Sequence, residues 1–190
     1  MAADRAHLHG AVRRHPRPAG AARGRRPAPV RGRVIVVVAP GPLTTVQDLG
    51  RPGLASLGVP PAGAVDRAAL RAANRLVGNA ADAAGLETTL AGPTLRFESD
   101  AVVAVAGGRC EVVVGEVVLG AGCAVTVRRG EQVRLGPVTA GLRSYLAVRG
   151  GIDVPPVLGS RSTCTLSGLG PAPLPRSRTR SAAGPPRPAA

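Results

Sequence analysis

The chain has 190 residues, with 25 basic and 11 acidic side chains and a formal net charge of +14, which allows one core of ordinary size rather than two. Every basic residue is arginine, and the absence of lysine excludes a Schiff-base lysine, a GK[ST] phosphate loop and a biotin-carrying lysine. His7, His9 and His15 all fall within the first fifteen residues, so a Ser/His or Cys/His nucleophile pair in the body is excluded as well.

Residues 1–33 carry nine arginines and one acid among Pro, Ala and Gly. Such a composition buries too little apolar surface to offset chain entropy, and it predicts a disordered tail. At Val34 the text changes to VIVVVA, a β-branched run closed by Pro40-Gly41-Pro42, which predicts a buried strand. The next segment, GPLTTVQDLGRPG, reads as a polar loop. In it Gln47, Asp48 and Arg51 offer an amide, a carboxylate and a guanidinium between glycines and prolines. Two readings stand for this trio: a substrate- or partner-binding group, or a turn bond from Asp48 to Arg51 that only holds the loop.

A helix is predicted over about Asp66 to Val77, with Asp66 capping its first turn and Gly78 ending it in a left-handed conformation. Leu70, Ala73, Leu76 and Val77 would face the sheet, and Arg67, Arg71 and Arg75 recur four apart on another face. That arginine stripe is a solvated face or a grip on an anionic partner. Asn74 and Asn79 flank the helix end. Glu87 opens a strand, either as the exposed member of an alternating pair or as a deliberately placed acid.

Short strands then follow at Leu86–Leu90, Thr94–Glu98, Ala101–Ala106, Cys110–Val114, Val117–Leu119, Ala124–Val127, Gln132–Leu135 and Arg143–Val148. Glycine, proline or an Arg-Gly pair separates nearly all of them, and Gly107-Gly108 and Gly150-Gly151 read as turns. Many short strands and one helix predict a mainly β sandwich or barrel. Phe97 is the only phenylalanine and Tyr145 the only tyrosine, so the core must rest on Val, Leu and Ala. The loop after the last strand ends in Ser160, Arg161 and Ser162, an anion-binding candidate or a chain-reversing connection.

Cys110, Cys123 and Cys164 are odd in number and widely spaced, which supports neither a disulfide framework nor a metal site; reduced thiols in small apolar positions are expected. No run approaches the roughly 18 to 20 apolar residues needed to span a bilayer. No apolar signal core follows the basic N-terminus. The expectation is a cytoplasmic protein without a membrane partner. The arginine-rich tails would attract phosphates through salt-sensitive electrostatics, but without interleaved aromatics no specific nucleic-acid partner is expected.

Taken in order, PGPLTTVQDLGRPG, LGVPPAGAVD, ANRLVGN, AAGLETTLAGPTLRF, LRSYLAVRGGIDVPPVLGSRST and LSGLG resemble the biotin-dependent carboxyltransferase family. That family includes the C subunit of bacterial 5-oxoprolinase, allophanate hydrolase subunit 2, the Kip antagonist and the carboxyltransferase region of urea carboxylase. The resemblance covers residues 34–170 and implies a partial cyclophilin-like β-barrel. It implies a hydrolase component that opens 5-oxoproline to glutamate with companion A and B subunits, using ATP only together with them and carrying no covalently bound biotin. The alternative is a non-catalytic regulatory protein of the Kip antagonist type. The resemblance assigns no catalytic residue; Gln47, Asp48, Arg51, Asp66, Asn74, Glu87 and Arg161 remain the binding candidates.

Where relatives read Ser-Gly before Ala-x-Asp, this chain has Ala62-Gly63, so a hydroxyl role there is lost. Residues 171–190, with four arginines and no acid, depart from the family's text and predict a second disordered tail. The expectation is a family domain truncated to about its first half and inactive alone for that reason, with tails arising from a shifted reading frame and a misplaced start.

Overall fold

The computed structural model describes residues 33–175 and 179–183, and the expected tail over residues 1–32 lies outside them, as do residues 176–178 and 184–190 of the second expected tail. The strands are β1 (Arg33–Ala39), β2 (Leu43–Gln47), β3 (Gly85–Thr89), β4 (Thr94–Phe97), β5 (Ala101–Val114), β6 (Val117–Gly120), β7 (Ala124–Val127), β8 (Gln132–Val148) and β9 (Thr179–Ala183). One α-helix, α1 (Arg67–Leu76), lies between β2 and β3. The strands form one antiparallel sheet in the order β2-β3-β8-β4-β1-β9, and β5 pairs with β8 and carries β6 and β7 on its other edge. The architecture is mainly β, a curled half-barrel, in line with the sandwich or barrel read from the strand-rich sequence and with the partial barrel that the resemblance implies.

The long central strand β8 organises this sheet. Its first half runs between β4 and β5, with Arg134 opposite both Thr94 and Val113. Its second half runs between β3 and β5, with Leu146 opposite both Leu86 and Val105. Period-two alternation then separates two cores. Val103, Val105, Leu146 and Val148 point into the curl and pack with Ile35, Val37, Leu95 and Phe97. Ala104, Ala106, Tyr145 and Ala147 point to the other face and receive Leu70 and Ala73 of α1 and Val77 just past its end. Three alanines on that face let the helix approach closely, and burying Leu70 and Val77 contributes about 1.5–3 kcal/mol each. Leu76, expected against the sheet, is 38% exposed because it lies at the margin of the packed stripe.

Both ends of α1 follow their sequence signals. The Asp66 carboxylate accepts from the Ala69 N–H at 2.9 Å, and Gly78 follows the helix at φ +74°. Past the C-terminus, Arg149 Nε donates to the Val77 carbonyl at 3.0 Å, serving an acceptor that the helix leaves unpaired.

Four features depart from the sequence reading. Leu43–Gln47, read as loop, is a strand whose Thr44, Thr45, Val46 and Gln47 are all buried by pairing with β3. Gly107-Gly108, read as a turn, lies inside β5, where the register with β8 shifts between Gly107 and Arg109, so the strand bends without breaking. The runs at 132–135 and 143–148 are likewise one strand, β8. Within the segment expected to be a disordered tail, Thr179–Ala183 form β9 and pair with Arg33–Val37 of β1, satisfying an edge that would otherwise be open.

Candidate functional site

The sequence candidates separate into three groups. Asp48, Arg51, Gln47 and Arg161 form a clamp that ties the 47–51 loop to the 157–163 loop. Asp48 Oδ1 accepts from the Gly50 N–H at 2.8 Å, the Ser160 hydroxyl at 2.6 Å and the Ser162 hydroxyl, while Oδ2 accepts from the Arg161 N–H at 2.6 Å. Arg51, 2% exposed, donates to the carbonyls of Ser162 at 2.7 Å and Val157 at 3.3 Å. Gln47 donates to the Thr163 carbonyl at 3.0 Å, and Arg161 Nε to the Val154 carbonyl at 2.9 Å. The anticipated Asp48-to-Arg51 bond is replaced by these longer-range ties, because the two loops face each other in space. Their polar groups act mainly on protein backbone.

Asn74 belongs to a second group at the helix end. It donates to the Ala83 carbonyl at 2.8 Å and accepts from Asn79 Nδ2 at 3.0 Å, while Asn79 also donates to the Val148 carbonyl at 2.9 Å. This ladder fixes the end of α1 to β8.

Glu87 and Asp66 come together in the third group, which borders an open groove of about 580 Å³. The groove lies between the start of α1, at Val65 and Asp66, and the bent parts of β5 and β8, at Gly107–Arg109 and Ala140–Arg143. Sequence reasoning missed its two cations, Arg109 and Arg143, and its floor residue, Tyr145. The signals that pointed there were a lone tyrosine in an aromatic-poor chain and a glycine pair immediately before an arginine.

The pairing of β3 with β8 sets Glu87 directly opposite Tyr145. The Tyr145 hydroxyl donates to Glu87 Oε2 at 2.8 Å and accepts from the Asp66 N–H at 2.7 Å. Glu87 Oε2 also accepts from the Val65 N–H at 3.0 Å, and Oε1 faces Arg143 Nε at 3.4 Å. Glu87 is therefore a placed acid, buried to 7% exposure, that holds the entry to α1 against the sheet. Burial holds the Tyr145 hydroxyl well above the usual tyrosine range; the Asp66 backbone bond opposes this, and the bond and charge of Glu87 add to it. Tyr145 thus presents a protonated hydroxyl whose proton is donated to Glu87.

The bend that opens the groove depends on glycine. Gly107 adopts φ +100°, and a Cβ there would meet the Arg143 carbonyl at 2.8 Å. At Gly108 a Cβ would meet the same carbonyl at 2.9 Å. Side chains at either position would push β5 from β8 and displace Arg143.

Of the cysteines, Cys110 and Cys164 are buried and free, as expected, whereas Cys123 is exposed beside the β6–β7 connection. Hydrogen bonds from the Ser167 hydroxyl and backbone lower the Cys164 thiol from its ordinary value. Among the described residues, no helix is long and apolar enough to cross a membrane.

The curled antiparallel sheet with one helix against its outer face places the chain in the class of carboxyltransferase domains. The family model "Carboxyltransferase domain, subdomain A and B" matches residues 57–181, and the chain belongs to that family. It is 44% identical over 137 residues to the C subunit of the Escherichia coli 5-oxoprolinase, spanning 72% of this chain and 44% of that protein. It is 43% identical over 135 residues to the Lachancea kluyveri urea amidolyase, spanning 70% of this chain and 7% of that one. Among solved structures, the Kluyveromyces lactis urea carboxylase superposes with a TM-score of 0.68 at 44% identity, over 70% of this chain and 12% of that chain. The chain thus spans less than half the length of these relatives.

Proposed function

We propose that this chain acts as the C subunit of a 5-oxoprolinase, providing the surface that holds a cyclic amide while companion A and B subunits carry out its ATP-dependent opening to glutamate. The observation that supports the reading best is the 44% identity to such a subunit across 72% of the chain. The groove beside Glu87 and Tyr145 is of a size for a small ligand.

The residues present do not fit a nucleotide site of the phosphate-loop type. The chain contains no lysine, and its central glycine pair lies in a bent strand instead of a loop opening a helix. ATP use is accordingly assigned to the assembly with the companion subunits. The same lack of lysine leaves no attachment point for biotin.

ADP release dependent on 5-oxoproline tests this reading, measured with the chain alone, with A and B subunits alone, and with all three. The chain alone is expected to be inactive, and turnover is expected only in the complete mixture. Turnover by A and B subunits that the chain leaves unchanged would defeat the proposal. Suppression of their turnover by the chain would indicate a regulatory protein of the Kip antagonist type.

A further inference from the structure

We propose that the groove is a carboxylate-binding site in which Arg143 supplies a two-pronged guanidinium contact and Arg109 a second positive charge. The inference deepens the reading above, which supplies its choice of probe. Among the described residues, Arg143 is held along one edge: the contacts that fix its guanidinium run through Nε, to Glu87 Oε1 at 3.4 Å and to Thr89 Oγ1 at 3.4 Å. Both contacts are long for charge-assisted bonds, so they orient the group without saturating it. Its two terminal amines form the planar fork that matches a carboxylate, and the side chain is 29% exposed along the groove.

The acids nearby are already engaged. Glu87 Oε2 serves the Tyr145 hydroxyl and the Val65 N–H, and the Asp66 carboxylate caps α1 through the Ala69 N–H. Arg109 is exposed on the opposite strand with no ion pair to a described acid. Two guanidinium groups line the groove against one lining carboxylate, Asp66, while Glu87 sits buried behind the Nε edge of Arg143, so the free fork of Arg143 together with Arg109 favours an anionic ligand over a neutral one. Gly107, Gly108 and Gly141 leave that wall without side chains, so a small ring can approach the backbone.

The test is an NMR titration of the 190-residue chain with three probes of one ring size: 5-oxoproline, 2-pyrrolidinone, which lacks the carboxylate, and cyclopentanecarboxylate, which lacks the lactam. Both carboxylates are expected to shift the amides of Gly107, Gly108 and Gly141 and to bind about tenfold or more tightly than 2-pyrrolidinone. Arg143→Gln should abolish that preference, Arg143→Lys should weaken it several-fold by keeping the charge without the fork, and Arg109→Gln should weaken it less. Arg96→Gln, on a distant exposed ion pair, should leave binding unchanged. Equal binding of 5-oxoproline and 2-pyrrolidinone, an intact preference in Arg143→Gln, or no shift with either carboxylate overturns the proposal. Arg143-dependent binding of cyclopentanecarboxylate without binding of 5-oxoproline would uphold the carboxylate site while defeating the 5-oxoprolinase reading.

Discussion

Tyr145 joins three segments through one oxygen, and its burial makes the protein sensitive to alkali. Because the folded protein holds its hydroxyl protonated beyond the ordinary range, the stability it contributes is complete below about pH 10 and is lost as pH rises from there through the folded value. Since it is the only tyrosine, tyrosinate absorbance reports it alone. Absorbance should stay flat through about pH 10 and then rise together with loss of the circular-dichroism signal. A native-state titration at the free-tyrosine midpoint would contradict the buried hydroxyl bond. Asp48 gives a second residue-scale expectation. It accepts four hydrogen bonds from Gly50, Ser160, Arg161 and Ser162, so Asp48→Ala should cost roughly 2–4 kcal/mol in denaturant unfolding by stranding donors that include the buried Ser160 and Ser162 hydroxyls. A change under about 1 kcal/mol would show that solvent replaces the carboxylate readily.

At the scale of elements, α1 is legible from sequence nearly to the residue because its signals are local. Asp66 caps it, Gly78 ends it, and the apolar stripe repeats at helical spacing. Its exposed face carries Arg67, Arg71 and Arg75, like charges one turn apart that lack ion pairs to described acids. Arg71→Glu should convert two repulsive spacings into attractive ones and raise stability by about 1 kcal/mol at low ionic strength, less at high salt. Thermal unfolding at two salt concentrations measures this, and unchanged or lowered stability would show that the stripe has a partner within the fold. β2 is illegible for the opposite reason. LTTVQ is polar and looks like a loop, yet pairing with β3 buries four of its five residues, and Thr44 and Gln47 find acceptors at Pro40, Thr45 and Thr163. The join between the two halves of β5 is hidden by Gly107-Gly108, since a glycine pair signals a turn and a strand bend equally well in one dimension.

Across the whole molecule, the sheet depends on edges supplied from far along the chain. β9 pairs with β1 over Arg33–Val37, although their sequence separation exceeds that of any other paired strands among the described residues. Ending the chain at residue 175 should expose the β1 edge, lower the melting temperature and promote concentration-dependent association. An unchanged melting temperature and sedimentation profile would show that β1 needs no cover on that side. The covered edge also explains why composition misleads: TRSAA has too little apolar content to announce a strand, and only its antiparallel match to β1 makes it one.

The strand-rich class, the single capped helix, the family blocks, and the chemistry excluded by the absence of lysine and of histidine in the body can all be read along the chain. Each of these follows from composition or from contacts within a few residues. Which polar residues share a site is settled in three dimensions. Asp48, Arg51 and Arg161, prominent in the sequence, close upon loops that are more than one hundred residues apart or upon nearby carbonyls. Arg109 and Arg143, inconspicuous there, meet at the groove only because β5 bends against β8, while the β3–β8 register sets Glu87 against Tyr145 beneath them. Register and bending are properties of strand pairs, so no single stretch of the chain carries them.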